Sequence, residues 1–289
     1  MALGARPGGL LAFGSRLSAL GGRRIAESRE PRASSASLPP ILCYHKIEPR
    51  HELGVTRIGP RRFARQIERF AERGWRTLDL GELAACTRGE RAVGPREVVI
   101  TFDDAYRGLR DHAFPVLRAH GFCALCFAVT DYAGRLNRWD VAYGGRRFAH
   151  LAWRDMRRWQ ERGIEFGSHT ATHPRLTWLG EDAARLELSR SRVALAAALD
   201  SDVGAVSYPF GAAGARERRL AREAGYALGF GLAGRWRGDP LGIDRTPVYL
   251  WAPPLPGVGL LAPVERAGAA AANRCSVGTS IWQRVRGTA

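Results

Sequence analysis

The chain has 289 residues, 45% of them hydrophobic, which suits one large core and an α/β barrel domain of about 200 to 250 residues with short extensions. A formal net charge of +16, from 44 basic and 28 acidic residues, raises nucleic acid, an anionic polymer or a membrane surface as partners. The arginines are spread through nearly every expected helix and Lys46 is the one lysine, so no clustered basic footprint points to nucleic acid, and no apolar run reaches the roughly 18 residues of a membrane span.

Residues 1–38 are rich in Gly, Ala, Ser and Arg, and their short apolar stretch Gly9–Phe13 is soon interrupted by Arg16, so a flexible N-terminal extension is expected rather than a signal peptide. From Leu38 strand-like and helix-like segments alternate, the pattern of parallel strands with crossover helices. Ile41–Tyr44 reads as the first strand, and Phe63, Ile67 and Phe70 form the apolar stripe of a helix from Pro60 to Arg73 that Gly74 ends. Val98–Phe102 is a continuous apolar and β-branched run, as in a strand covered on both faces. A helix over Leu109–His120, a strand over Cys123–Val129, a helix over Trp153–Arg162, a strand at Ile164–Phe166 and a long helix over 181–199 follow. Ala205–Tyr208, a helix over Ala215–Ala224, and strands at Ala227–Gly229 and Arg245–Tyr249 complete the count. About seven strands separated by helices fit a closed or partly closed barrel, and no GxGxxG follows a strand to suggest a dinucleotide site. Beyond the domain at 39–252, residues 253–289 turn Pro-rich and then Ala-rich and read as a C-terminal tail.

Five cysteines without regular spacing indicate no disulfide framework. Cys123 and Cys126 have CxxC spacing, but three positions apart on a strand they point to opposite faces, so they read as core residues rather than a redox or zinc pair.

In such a barrel the chemistry gathers at the C-terminal strand ends. Asp103 and Asp104 follow the Val98 strand, and two adjacent carboxylates there need a compensating cation unless they only cap the next helix. His169 and His173 follow the Ile164 strand at i and i+4, a spacing that puts both on one face of a helical turn where they can grip one ion. One Asp and two His give three protein ligands with a position left open, as at a catalytic metal site, and the other carboxylate stays available as a base. Ser207-Tyr-Pro-Phe-Gly211 follows a third strand; a Pro-stiffened loop with Gly lets the Phe210 amide face an oxyanion, or is an ordinary Pro-Gly turn.

Thr101-Phe-Asp-Asp104, Ser168-His-Thr-Ala-Thr-His173 and Tyr208-Pro-Phe-Gly211, in this order, resemble the signature motifs of the NodB-homology polysaccharide deacetylases, carbohydrate esterase family four; Ile41–His45 and Asn137–Asp140 resemble segments of one branch. The resemblance spans about residues 39–250 and implies a deformed (β/α) barrel that hydrolyses an acetamido group on a sugar. It makes Asp103 the general base that activates water, Asp104, His169 and His173 the ligands of a divalent metal, and the Phe210 amide an oxyanion donor. His2Asp ligation suits Zn²⁺ and also Co²⁺, Ni²⁺ or Fe²⁺.

Two departures stand out. The motif arginine that orients the base is replaced here by Ser207, with Arg245 on a later strand end as the candidate substitute, and no histidine follows His173 to serve as the family's late catalytic acid. By elimination His45, after the first strand, is the candidate acid, and Trp139 and Tyr208 are candidates for a sugar platform or for packing. The expected partner is an acetylated glycan, with no nucleic acid. The missing leader leans toward the cytoplasm, while the implied substrates lean toward the envelope. A catalytically silent carbohydrate-binding module and a hydrolase of a small non-glycan amide are the competing readings.

Overall fold

The computed structural model describes residues 37–51, 54–139, 146–232 and 236–258, with positions 264, 267, 268 and 281 beyond them. Contacts divide the chain into residues 1–34 and 35–289, and all described residues lie in the second unit. Nearly all of the expected extension over 1–38, Asp140, and most of the tail over 253–289 fall outside the described residues.

In chain order the elements are β1 (Ile41–Tyr44), β2 (Lys46–Ile47), β3 (Arg57–Ile58), α1 (Pro60–Glu72), β4 (Arg76–Thr77), α2 (Leu80–Thr87), β5 (Glu97–Phe102), α3 (Gly108–His112), α4 (Phe114–Ala119) and β6 (Ala124–Ala128). There follow α5 (Trp153–Gln160), β7 (Ile164–Ser168), α6 (Glu181–Leu199), β8 (Ala205–Ser207), α7 (Ala215–Glu223), β9 (Leu228–Phe230) and β10 (Thr246–Pro247). Seven strands pair in the order β10-β1-β5-β6-β7-β8-β9, all parallel, and β4 joins β5 off this path. The sheet curls until Ile243, just before β10, pairs with β9: Gly231 N–H donates to the Ile243 carbonyl at 2.7 Å and Ile243 N–H to the Gly229 carbonyl at 2.8 Å. The fold is a deformed (β/α) barrel, as the alternation of segments predicts.

Because side chains alternate across a strand, one set of positions faces the barrel interior and climbs toward its mouth. Ile41, Val99, Leu125, Phe127, Ala205, Leu228 and Phe230 form one buried cluster, which fills the interior. The alternate positions, such as Leu42, Val98, Ile100 and Phe102, pack against the helices. On α1 Phe63, Ile67 and Phe70 are fully buried in that layer, each contributing about 1.5–3 kcal/mol by transfer from water.

Two helices differ from the sequence expectation. The segment expected as one helix over Leu109–His120 is split into α3 and α4, because Pro115 enters at the first turn of α4 and cannot donate back into α3. Helix α2 went unrecognised although Asp79 and Glu82 form a capping box, with Glu82 N–H donating to Asp79 Oδ1 at 2.8 Å and Asp79 N–H to Glu82 Oε2 at 3.2 Å.

Candidate active site

Continuing two of the inward rows past the interior cluster leads from Ile41 through Cys43 to His45, and from Val99 through Thr101 to Asp103. Asp103 therefore stands at the mouth, 1% exposed, its backbone N–H held by the Tyr44 carbonyl at 2.9 Å. Arg245 meets it edge-on, with Nη1 to Oδ1 and Nη2 to Oδ2 both at 2.8 Å. The guanidinium is buried against Phe127 and Phe230 and also donates to the Gly231 carbonyl, Thr101 Oγ1 and Ser207 Oγ. Ser207, at the place of the family's motif arginine, donates its hydroxyl to Asp103 Oδ2 at 3.2 Å. Burial, the largest single influence, would raise the Asp103 carboxyl, but the charge and hydrogen bonds of Arg245 together with the neighbouring His169 and His45 outweigh it and hold the group well below the usual carboxylate range.

Asp104 turns the other way because its backbone is left-handed, φ 68°, and its Oδ1 faces both His169 Nε2 and His173 Nε2 at 3.5 Å. All three residues are buried, and their ligand atoms lie within 4.8 Å of one another. Two ligands about 2.0–2.1 Å from a tetrahedral ion stand about 3.4 Å apart, so these spacings fit a divalent cation held by one carboxylate and two imidazoles. His169 Nδ1 lies 2.8 Å from the Ser207 carbonyl, which selects the tautomer that leaves Nε2 free to ligate.

The histidine pair is brought together differently from the expected helical turn. Residues 169–173 form a loop in which Thr170 and His173 are left-handed, φ 66° and 65°. Glu187 on α6 clamps that loop: Oε2 accepts from the Ala171 and Thr172 amides, each at 2.9 Å, and Oε1 from the Thr172 hydroxyl at 2.8 Å. Before the loop, Gly167 is required by space, since a Cβ there would sit 2.7 Å from the Phe127 ring. Asp104, Ala105, Thr170, His173 and Phe210 are five of the six non-glycine residues with positive φ among those described, so the backbone strain is gathered around one site.

Trp139 stacks on His173 with centroids 3.7 Å apart and is only 4% exposed, so it backs that imidazole rather than offering an open face to a sugar. Phe210 packs edge-on to the same imidazole at 4.9 Å, in a left-handed turn with φ 61°. Of the two readings of Tyr208 the structure favours packing: its ring is buried at 1% exposure, and its hydroxyl donates to the Leu241 carbonyl at 3.0 Å, because its side chain lies on the face of β8's extension turned away from the mouth. It is a packing residue. His45 is partly exposed, and burial of its ring lowers its pKa to about 4, against the opposing pull of Asp103. Cys43 is buried beneath it and donates to Asp103 Oδ2 at 3.4 Å.

Sequence reasoning missed two residues. Glu187 is one; its position in a long helix carries no local signal of the loop it clamps. The other is His150, 2% exposed, whose Nδ1 lies 2.5 Å from the Asp104 carbonyl while its ring stacks on Tyr106 at 4.8 Å. Among the described residues no disulfide occurs: Cys43, Cys86, Cys123 and Cys126 are free. No helix among them is long and apolar enough to cross a membrane.

The profile of the polysaccharide deacetylase family matches residues 90–229, the stretch that holds Asp103, Asp104, His169, His173 and Phe210. YxkH of Bacillus subtilis (strain 168), provisionally named a polysaccharide deacetylase, is 26% identical over 190 residues, which cover 66% of this chain. The match spans about 63% of the length of that curated relative. Streptococcus pyogenes deacetylase PplD, solved in complex with acetate, aligns with a TM-score of 0.65 at 22% identity over 75% of this chain and 94% of that one. IcaB from Ammonifex degensii aligns with a TM-score of 0.61 at 22% identity, over 80% and 96%. At these identities the two structures establish the shared fold. Residues 90–229 thus match the polysaccharide deacetylase family, and the barrel built around them has the fold of both solved structures.

Proposed function

We propose that residues 39–252 form a metal-dependent hydrolase that removes N-acetyl groups from an amino-sugar polysaccharide or oligosaccharide. The observation that carries this reading is the buried Asp104, His169 and His173 cluster set beside a carboxylate, Asp103, that a buried arginine keeps ionised. Asp104, His169 and His173 would hold a divalent cation, with Zn²⁺ the best match to one oxygen and two nitrogen donors and Co²⁺, Ni²⁺ or Fe²⁺ also compatible. Such a cation, when bound, supplies polarisation of the acetamide carbonyl and a more acidic water.

Asp103 takes the proton from the attacking water, and its bidentate pair with Arg245 fixes which lone pair is presented. Arg245 thereby does the work of the motif arginine that Ser207 replaces. His45, with its pKa near 4, is neutral at neutral pH and must first receive a proton before it gives one to the leaving amine. With their ligating atoms within 4.8 Å, Asp103 and His45 are placed to pass that proton through one bridging water. The Phe210 amide is assigned to the oxyanion, and Trp139 keeps His173 in place rather than contacting the sugar. The test is acetate release from N-acetylglucosamine oligomers. Release that a chelator abolishes and added Zn²⁺ or Co²⁺ restores supports the reading; release indifferent to chelation contradicts it.

A further inference from the structure

Asp103 also belongs to a second cluster on the barrel's inner wall. Cys43 and His45 are two positions apart, so both side chains face the interior beside Asp103. The ligating atoms of Cys43, His45 and Asp103 lie within 4.8 Å of one another. Cys43 Sγ is 3.4 Å from Asp103 Oδ2. Around a tetrahedral ion with metal–sulfur near 2.3 Å and metal–oxygen near 2.0 Å, sulfur and oxygen stand about 3.5 Å apart, so this edge is already at coordination spacing. His45 Nδ1 is a buried atom with no hydrogen-bond partner, a donor set apart from the surrounding network.

The donor set differs from that of the neighbouring triad in holding a sulfur. Arg245, in contact with Asp103, repels any cation that approaches the same carboxylate. A hard ion such as Mg²⁺ gains nothing here to offset that repulsion, whereas a thiophilic ion gains a metal–thiolate bond.

We propose that Cys43, His45 and Asp103 form a second, inhibitory site for a thiophilic dication such as Zn²⁺ or Cd²⁺. On binding, the thiol proton leaves to solvent, the thiolate, one carboxylate oxygen and the neutral imidazole each donate a lone pair, and nothing is oxidised or reduced. Occupation removes Asp103 and His45 from the reaction, so one ion per chain sustains activity and a second suppresses it. The effect on activity rests on the deacetylase reading above; the binding does not.

The chelator-stripped full chain is titrated with Cd²⁺ while the ultraviolet cadmium–thiolate charge-transfer band is followed, and acetate release is followed in a parallel Zn²⁺ titration. Two equivalents bind, and one of them brings the band. Cys43→Ser and Cys43→Ala bind a single equivalent without it, and Cys123→Ser keeps it. The second Zn²⁺ lowers wild-type acetate release about 10²-fold, the loss of a general base, while Cys43→Ser holds its own one-equivalent rate. Cd²⁺ also protects Cys43 of the wild type from alkylation, mapped by mass spectrometry, a readout that needs no substitution. Absence of the band, its survival in Cys43→Ser, or alkylation of Cys43 at an unchanged rate overturns the proposal. A band that obeys these rules in a protein releasing no acetate leaves the site standing and refutes the deacetylase reading instead.

Discussion

Replacing Arg245 with Met removes the one side chain that ion-pairs with Asp103 through both carboxylate oxygens. The guanidinium is 0% exposed and the carboxylate 2%, so no solvent can take over the role. Breaking a buried pair by removing one partner costs about 3–5 kcal/mol, because the remaining charge is left uncompensated. The sign of the pH dependence follows from the two titrations. In the wild type the Asp103 carboxyl lies below its unfolded value, so the pair's contribution is complete above about pH 4 and is lost as pH falls through the folded value. In Arg245→Met burial, the largest influence, is opposed only by the weaker pull of His169 and His45 and raises the carboxyl, so the penalty is full at neutral pH and shrinks as pH falls toward about 4. Urea denaturation of both proteins at pH 7 and pH 4.5 reads the gap, which should be about 3–5 kcal/mol at the first and smaller at the second. Asp103→Asn combined with Arg245→Met should recover part of the loss. A gap that does not change with pH, or a double variant whose loss equals the sum of the singles, would refute the reasoning.

Three further outcomes follow from neighbouring contacts. Glu187→Ala frees the Ala171 and Thr172 amides, so the loop carrying His169 and His173 loosens and metal affinity measured by calorimetry falls about 10–100-fold with little change in thermal stability of the metal-free protein. His150 is buried neutral, with its pKa lowered by burial from 6.5 to about 4. Its contribution is intact above about pH 6.5 and is lost as pH falls toward 4, about 2 kcal/mol between pH 7 and pH 5. Denaturation of His150→Gln across that range should show a correspondingly flatter slope, and an unchanged slope counts against it. Gly211→Ala places a Cβ 2.6 Å from Leu232 Cβ at a residue with φ +65°, and should cost about 1–3 kcal/mol by chemical denaturation.

What the sequence discloses about this fold is periodic and local. The apolar stripe of Phe63, Ile67 and Phe70 and the β-branched run at Val98–Phe102 announce a helix and a buried strand, and the alternation of such segments announces the barrel. The capping box at Asp79 and Pro115 at the break between α3 and α4 are equally local signals. The acidic and histidine motifs are legible because their residues are adjacent in the chain. Their geometry is not: left-handed Asp104, Thr170 and His173 come from tertiary clamps such as Glu187, which is contributed by a later helix. The pairing of Arg245 with Asp103 spans 142 positions, so sequence can nominate the arginine but not its bidentate fit around Ser207. For Tyr208 the sequence leaves platform and packing open, and alternation along β8 decides between them by turning the ring away from the barrel mouth into the layer beneath the helices.

The central claim is that Asp103 and the adjoining metal triad make a catalyst rather than a glycan binder. Acetate release and oligosaccharide affinity should be measured together on the metal-loaded wild type, Asp103→Asn and His169→Ala, using N-acetylglucosamine oligomers. The account predicts release by the wild type, its loss by about 10²-fold or more in Asp103→Asn with oligosaccharide binding retained, and loss of bound metal as well as release in His169→Ala. Wild-type binding of the oligomer with stoichiometric metal and no acetate released would contradict it.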